Sequence, residues 1–281
     1  MTRIATVAQG FVRDLETDFA IVERLVTTAR ERGAQLLVLP EAALGGYLAD
    51  LEGGERLDGG LPPALHVDGP EIARLVALAG DLVVCVGYCE DGGGERYNSA
   101  VCVTGDGVLG TYRKVHQPLR EDASYLAGRE LRAFDTPVGR LGLLICYDKA
   151  FPEAARALAL DGAEVVACLS AWPASRTGAA ATLDEDRWTQ RFDLFDRARA
   201  LENQIVWVAS NQADTFGSLR FVASAKIVGP GGEVMATTGT TPGTAVADVD
   251  IPAALARARA SMFHLADRRP ELYEAAAALA S

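Results

Sequence analysis

Histidine is scarce in this chain: its 281 residues hold only His66, His116 and His264, and no zinc-ligand spacing appears among them. Metal dependence is therefore not expected, and no metal ligand is assigned. Clusters of lysine and arginine are missing too. The 27 basic residues are outnumbered by 38 acidic ones, for a net charge of −11. Without a basic stripe, neither nucleic acid nor an anionic membrane is an expected partner. No apolar run is long enough to span a bilayer. Met1-Thr2-Arg3-Ile4-Ala5-Thr6-Val7 leads straight into a strand-like run, without a signal-peptide layout. Cysteine is sparse and odd in number: Cys85, Cys89, Cys102, Cys146 and Cys168. Most lie in apolar strand-like runs, so reduced thiols in a cytoplasmic protein are expected. Cys85 and Cys89 would share a face of one strand, too far apart along it for an easy disulfide.

What is present is an ordinary globular composition, 49% hydrophobic and 23% charged, long enough for a sizeable core. Residues 3–9 read as a strand. Asp14 to Arg32 follows as a helix, with Leu15, Phe19, Val22, Leu25, Val26 and Ala29 on one face and Gly33 as terminator. The apolar run 34–39 reads as a strand covered on both faces. Residues 49–68 read as loop. Pro70 to Ala79 is a helix with proline in its first turn, 81–89 a strand, and 99–113 a hairpin turning at Gly105-Asp106-Gly107. The pattern then restarts: strand 140–146, helix 153–161, strand 162–169, a helix from Leu183 to Asn203 with Phe192, Phe195, Ala198 and Leu201 on its apolar side, strand 204–210, and a hairpin over 224–236. Both halves spell strand, helix, strand, helix, strand, hairpin. The expected fold is α/β, a four-layer α-β-β-α sandwich with internal pseudo-duplication. From Ala247 the chain reads as a tail, with a helix over 252–260 and a final Ala-rich helix. No inter-domain linker appears, so residues 1–281 are expected to form one domain.

Three chemically able residues share a setting. Glu41, Lys114 and Cys146 each follow a predicted strand, and in α/β sheets the loops beyond the strands' carboxyl ends bind ligands. Cys146 lies between the apolar strand and the next helix, whose N-terminal partial charge would favour a thiolate. Each residue has an ordinary alternative: a packed thiol, a solvated loop carboxylate, a surface lysine. Together they form a coherent set, with Glu41 as general base, Cys146 as nucleophile, and Lys114 stabilising an oxyanion beside the backbone N–H of Tyr147. His116 reads as a structural histidine of the Lys114 loop. Trp172 reads as a wall of the acyl pocket. Cys85, Cys89, Cys102 and Cys168 read as packing.

Leu39-Pro40-Glu41, Tyr112-Arg113-Lys114-Val115-His116 and Cys146-Tyr147-Asp148-Lys149-Ala150-Phe151-Pro152-Glu153 resemble, in order and separation, the three catalytic motifs of the nitrilase superfamily of carbon–nitrogen hydrolases. Arg197 to Asn203, Asn211 and Gly229 to Val234 resemble its later landmarks. The resemblance runs from residue 3 to about residue 273. It implies an α-β-β-α sandwich, no cofactor, a Glu-Lys-Cys triad working through a thioester, and homodimers or larger homo-oligomers, with the tail from about residue 250 in the contacts. It also points to Glu121, in Glu121-Asp122-Ala123-Ser124-Tyr125, as a second glutamate that positions Lys114 or substrate or assists proton transfer; its ordinary alternative is an acidic loop residue beside Asp122. Small aliphatic amides are the expected substrates. An N-carbamoyl-compound hydrolase or a nitrilase on the same triad is the alternative; Lys149-Ala150, where N-carbamoyl-amino-acid hydrolases tend to carry arginines, disfavours the first, and Tyr147-Asp148, in place of the Cys-Trp-Glu more frequent in nitrilases, disfavours the second. An acyltransferase or a silent interaction protein on the same fold are the rivals from other classes.

Overall fold

The computed structural model describes residues 1–49 and 60–273. The expected Ala-rich helix at the end of the chain and residues 50–59 of the 49–68 loop lie outside the described residues.

The first half runs β1 (Thr2–Ala8), α1 (Leu15–Glu31), β2 (Leu36–Val38), α2 (Pro70–Ala79), β3 (Val83–Asp91), β4 (Arg96–Thr104) and β5 (Gly107–Arg113). An edge strand β6 (Ala133–Thr136) leads into β7 (Gly139–Ile145), α3 (Pro152–Leu160), β8 (Val165–Ser170), α4 (Arg187–Asn203) and β9 (Val206–Asn211). There follow a small hairpin, β10 (Thr215–Phe216) and β11 (Leu219–Arg220), then β12 (Lys226–Val228), β13 (Val234–Thr237), β14 (Gly243–Val249) and α5 (Ile251–Ala258).

The duplication holds strand by strand. β1, β2 and β3 are parallel neighbours, and β4 and β5 continue the sheet antiparallel. β7, β8, β9, β12 and β13 repeat that order and those directions. Each set carries one further antiparallel edge strand, β14 beside β1 and β6 beside β7. The two sets meet edge to edge at one point, the pairing of Ala8 with Asn211. The layers follow from side-chain alternation. Leu36 and Val38 share a core with Leu143, Ala167 and Val208 of the second set. Leu37 and Leu39, one residue out of phase, pack with Phe19 and Val22 of α1 and Leu75 of α2. α1 starts where Asp14 accepts the Thr17 N–H at 2.9 Å. Gly33, at φ 70°, takes the left-handed turn that ends it.

The structure corrects two expectations. The segment around Ala247 is not a free tail. β14 pairs with β1 along its whole length, and the alternation that marks a strand is weak there because its burial is patchy. α4 starts at Arg187, not Leu183, and its inward face is not apolar. Phe192 is buried, but Leu201 is 47% exposed, while Asp196, Arg199 and Asn203 face inward. The reason is a buried ionic knot. Asp196 accepts from Lys149 Nζ at 2.6 Å, Trp207 Nε1 at 2.8 Å and Lys226 Nζ at 2.9 Å. Burial opposes the Asp196 charge, but the two ammonium groups outweigh it and hold its pKa below the ordinary carboxylate value. Arg199 Nε donates to the Lys149 carbonyl at 2.8 Å. The polar side of α4 thus fastens it to the turn after β7.

Candidate active site

Pro40 and Glu41 leave β2 by running along β3. The Gly87 N–H donates to the Pro40 carbonyl at 3.2 Å, and the Leu44 N–H donates back to the Gly87 carbonyl at 3.1 Å. This crossing is so close that a Cβ on Gly87 would lie 2.5 Å from the Ala42 nitrogen and 2.6 Å from the Glu41 Cα. Gly87→Ala is therefore expected to push Glu41 out of place. It should cost about 1–3 kcal/mol of stability by overpacking. It should also lower kcat/KM more than an equally destabilising change in α1, as denaturation and steady-state kinetics on both variants would show.

Glu41, Lys114 and Glu121 come together, all completely buried. Lys114 follows β5, its N–H donating to the Asn98 carbonyl of β4 at 2.8 Å. Its Nζ lies 2.8 Å from Glu41 Oε1 and 2.8 Å from Glu121 Oε2. Asn98 Nδ2 bridges the two carboxylates, at 2.6 Å from Glu41 Oε1 and 2.9 Å from Glu121 Oε1. The Tyr47 hydroxyl donates to Glu121 Oε1 at 2.9 Å. The second half of the chain closes the other side. The Ala171 N–H donates to Glu41 Oε2 at 2.6 Å, and Gln212 Nε2 donates to the Glu41 carbonyl at 2.8 Å. Burial alone would favour neutral Lys114, but Glu121 and Glu41 outweigh it and raise its pKa above the ordinary lysine value. Burial raises the Glu121 carboxyl, Lys114 pulls it back down, and Glu41 adds to the rise, which remains.

Cys146 ends β7 in a left-handed conformation, φ 49°, a strained position for a residue with a Cβ. It starts a short 3-10 turn, Cys146–Ala150, and α3 begins only at Pro152. The expected helix N-terminus therefore does not face the sulfur directly. Nor is a thiolate favoured. Burial and then the Glu41 carboxylate push the Cys146 thiol well above its ordinary value, against weaker pulls from Lys114 and the Ala171 N–H. The resting group is a neutral thiol.

Asp148 ties this turn to the Lys114 loop. Its carboxylate accepts from the Ile145 N–H at 2.9 Å, the Tyr112 hydroxyl at 2.8 Å and the His116 N–H at 3.0 Å. His116 Nδ1 lies 2.8 Å from the same carboxylate, and its ring stacks on Phe151 at 3.8 Å. His116 thus supports the loop and does not line the cavity.

A cavity of about 380 Å³ opens onto Cys146, walled by Tyr47, Tyr147, Trp172, Trp188 and Phe195 among others. Trp172 presents its ring to it, because its Nε1 already donates to the Trp188 carbonyl at 3.0 Å. Its backbone N–H is held by Asn211 Oδ1 at 2.7 Å. Lys149 is turned away into the Asp196 knot, whereas Ala150 lines the cavity. The other four cysteines are buried and free, with Cys85 directly opposite Cys102 on neighbouring strands. Sequence reasoning did not find Asn98, Tyr47 or Asp148. Asp148 stood inside a recognised motif, but Asn98 and Tyr47 carry no local signal and are drawn in only by strand pairing and loop closure.

The sequence profile described as carbon-nitrogen hydrolase matches residues 3–259. The chain is 36% identical over 180 residues to a probable nitrilase of Schizosaccharomyces pombe, covering 63% of this chain and 62% of that one. It is 31% identical over 292 residues to an N-carbamoylputrescine amidase of Solanum tuberosum, covering 97% of this chain and 94% of that one. The fold superposes on the amidase from Nesterenkonia sp. AN1 with a TM-score of 0.76 and 26% identity, over 98% of this chain and 99% of that one. In that amidase structure, acrylamide has added to the active-site cysteine. The chain belongs to the carbon–nitrogen hydrolase family, within the nitrilase superfamily, and is a hydrolase of carbon–nitrogen bonds. Among its described residues, no helix is long and apolar enough to cross a membrane.

Proposed function

We propose that this protein is an amidase that cleaves small aliphatic amides to a carboxylic acid and ammonia, with Cys146 as nucleophile, Glu41 as general base and acid, and Lys114 as oxyanion donor. The observation that carries this reading is a thiol that lines the cavity from a left-handed turn, within electrostatic reach of a buried Glu41 that is itself bound to the buried Lys114.

The chemistry follows from the residues brought together. Glu41 takes the thiol proton as the sulfur attacks the carbonyl carbon, so proton transfer and attack are coupled. The carbonyl oxygen becomes an oxyanion, received by Lys114 Nζ and the Tyr147 N–H. The latter lies at the start of the 3-10 turn, where N–H groups lack intrahelical acceptors. Glu41 returns the proton to the leaving nitrogen, ammonia departs, and an acyl thioester remains on Cys146. Water then gives a proton to Glu41 and attacks the thioester carbon, and the acid leaves as the sulfur regains its proton. Glu121, bonded to Lys114 and Tyr47, is a positioning residue that keeps the ammonium charged and aimed.

A dimer, as the family resemblance implies, would cover the exposed Leu194 and Leu201 of α4 and Met262 and Phe263 beyond α5. The substrate class is tested by ammonia release across a panel of aliphatic amides, nitriles and N-carbamoyl amines. Amides are expected to lead in kcat/KM. A lead for N-carbamoyl amines would move the chain beside the Solanum relative, and a lead for nitriles would overturn the amidase reading.

A further inference from the structure

Among the described residues, one charged side chain lines the cavity. Besides Tyr47, Cys146, Tyr147 and the aromatic wall, the lining consists of Pro118, Leu119, Ala150, Ala171, Pro173 and Arg191. Arg191 sits on α4 and makes no hydrogen bond or ion pair with any described residue. Its neighbour one turn back, Arg187, is by contrast engaged with Thr177. No aspartate or glutamate stands among the described lining residues, so none of them offers a cation an opposite charge. An unpaired guanidinium at an apolar cavity also runs against the charge of a molecule that is net −11.

The position is built. Trp188, Arg191 and Phe195 stand three and four residues apart, so they share one face of the helix and all three reach the cavity. That helix is fixed by the Asp196 knot and by Arg199 on the Lys149 carbonyl. The same contacts fix the turn that carries Cys146, so the guanidinium and the sulfur are held on connected supports. Between them lies an uncharged, largely aromatic surface.

We propose that Arg191 is a specificity-determining residue that binds a carboxylate at the far end of the substrate, so that the preferred amides are monoamides of aliphatic dicarboxylic acids. The acyl chain lies across the aromatic wall, the amide carbon reaches Cys146 Sγ, and the free carboxylate meets the guanidinium fork, whose geometry suits it. This rests on the amidase reading above and narrows its substrate.

The test uses substrates of similar shape and different far-end charge: glutaramate (anionic), pentanamide (neutral) and 4-aminobutanamide (cationic), each assayed by ammonia release. Glutaramate is expected to exceed pentanamide in kcat/KM by about tenfold or more, the scale of a hydrogen-bonded charge pair, with 4-aminobutanamide last. Arg191→Gln should collapse the glutaramate-to-pentanamide ratio, chiefly through KM. Arg191→Lys should keep part of the ratio, and Arg191→Glu should move the preference towards 4-aminobutanamide. Arg191 is exposed on a helix surface, so these variants are expected to fold, and circular dichroism checks it. Equal kcat/KM for glutaramate and pentanamide, or a ratio indifferent to Arg191→Gln, overturns this inference and leaves the amidase reading standing. No ammonia from any of the three amides, with turnover of nitriles or N-carbamoyl compounds, overturns the amidase reading itself.

Discussion

Cys146→Ala is expected to abolish ammonia release, by roughly 10⁴-fold or more, the scale seen when a covalent nucleophile is removed. No other described residue lining the cavity carries a thiol. The remaining thiols, Cys85, Cys89, Cys102 and Cys168, are buried and do not line the cavity. The fold should survive. The change deletes one sulfur at the cavity floor and keeps a Cβ in the left-handed turn, so the strain at φ 49° is unchanged. A stability change within about 1 kcal/mol is expected. Ammonia release and a denaturation midpoint on the same preparation separate the two effects. Turnover that persists with the fold intact would remove Cys146 from the mechanism.

Lys114→Met should be damaging in two ways at once. The proposed oxyanion donor is lost, and so is the ammonium between Glu41 and Glu121. Both carboxylates are fully buried, and Lys114 Nζ lies 2.8 Å from each. Breaking such a buried pair by removing one partner costs about 3–5 kcal/mol. The pH dependence gives a sharper signature. Without the ammonium, the pull that Lys114 exerts on the Glu121 carboxyl is gone, so its pKa in the folded variant rises further above that of the unfolded chain. A raised folded pKa contributes stability that is complete below the unfolded carboxylate range, near about 4.3, and is lost as pH rises through the folded value. The deficit of Lys114→Met against the parent protein should therefore grow between mildly acidic and neutral pH. Denaturation curves at two pH values measure it. A deficit independent of pH would mean that the Glu121 carboxyl does not depend on Lys114 for its charge.

Much of the framework was legible in the sequence, for physical reasons that can be located. The apolar runs 34–39 and 141–145 announced strands covered on both faces. Repetition of the strand, helix and hairpin order gave the duplicated halves, and the β1–β5 order recurs in β7, β8, β9, β12 and β13. Glu41, Lys114 and Cys146 were visible as chemically able residues past strand ends. Glu121 depended on family resemblance, because an acidic loop has no periodic signature. The pairing partners were not legible. Asn98 lies in β4 and faces the two glutamates only because β4 is held between β3 and β5. The inward Asp196 and Arg199 broke the apolar rule for α4, because charges that neutralise one another can be buried and no local pattern reveals their partners. The state of Cys146 was misjudged in the same way. A helix dipole can be read from sequence, whereas burial and a neighbouring carboxylate belong to the folded site.

The acyl-enzyme is the centre of the account, and one measurement reaches it directly. The protein is mixed with the p-nitrophenyl ester of a small aliphatic acid, so that acylation outruns hydrolysis of the thioester. It is then quenched in acid and analysed by peptide mass. A burst of nitrophenol stoichiometric with protein is expected, with one acyl group on the peptide carrying Cys146. Steady hydrolysis of the ester with the acyl group on another residue would contradict it.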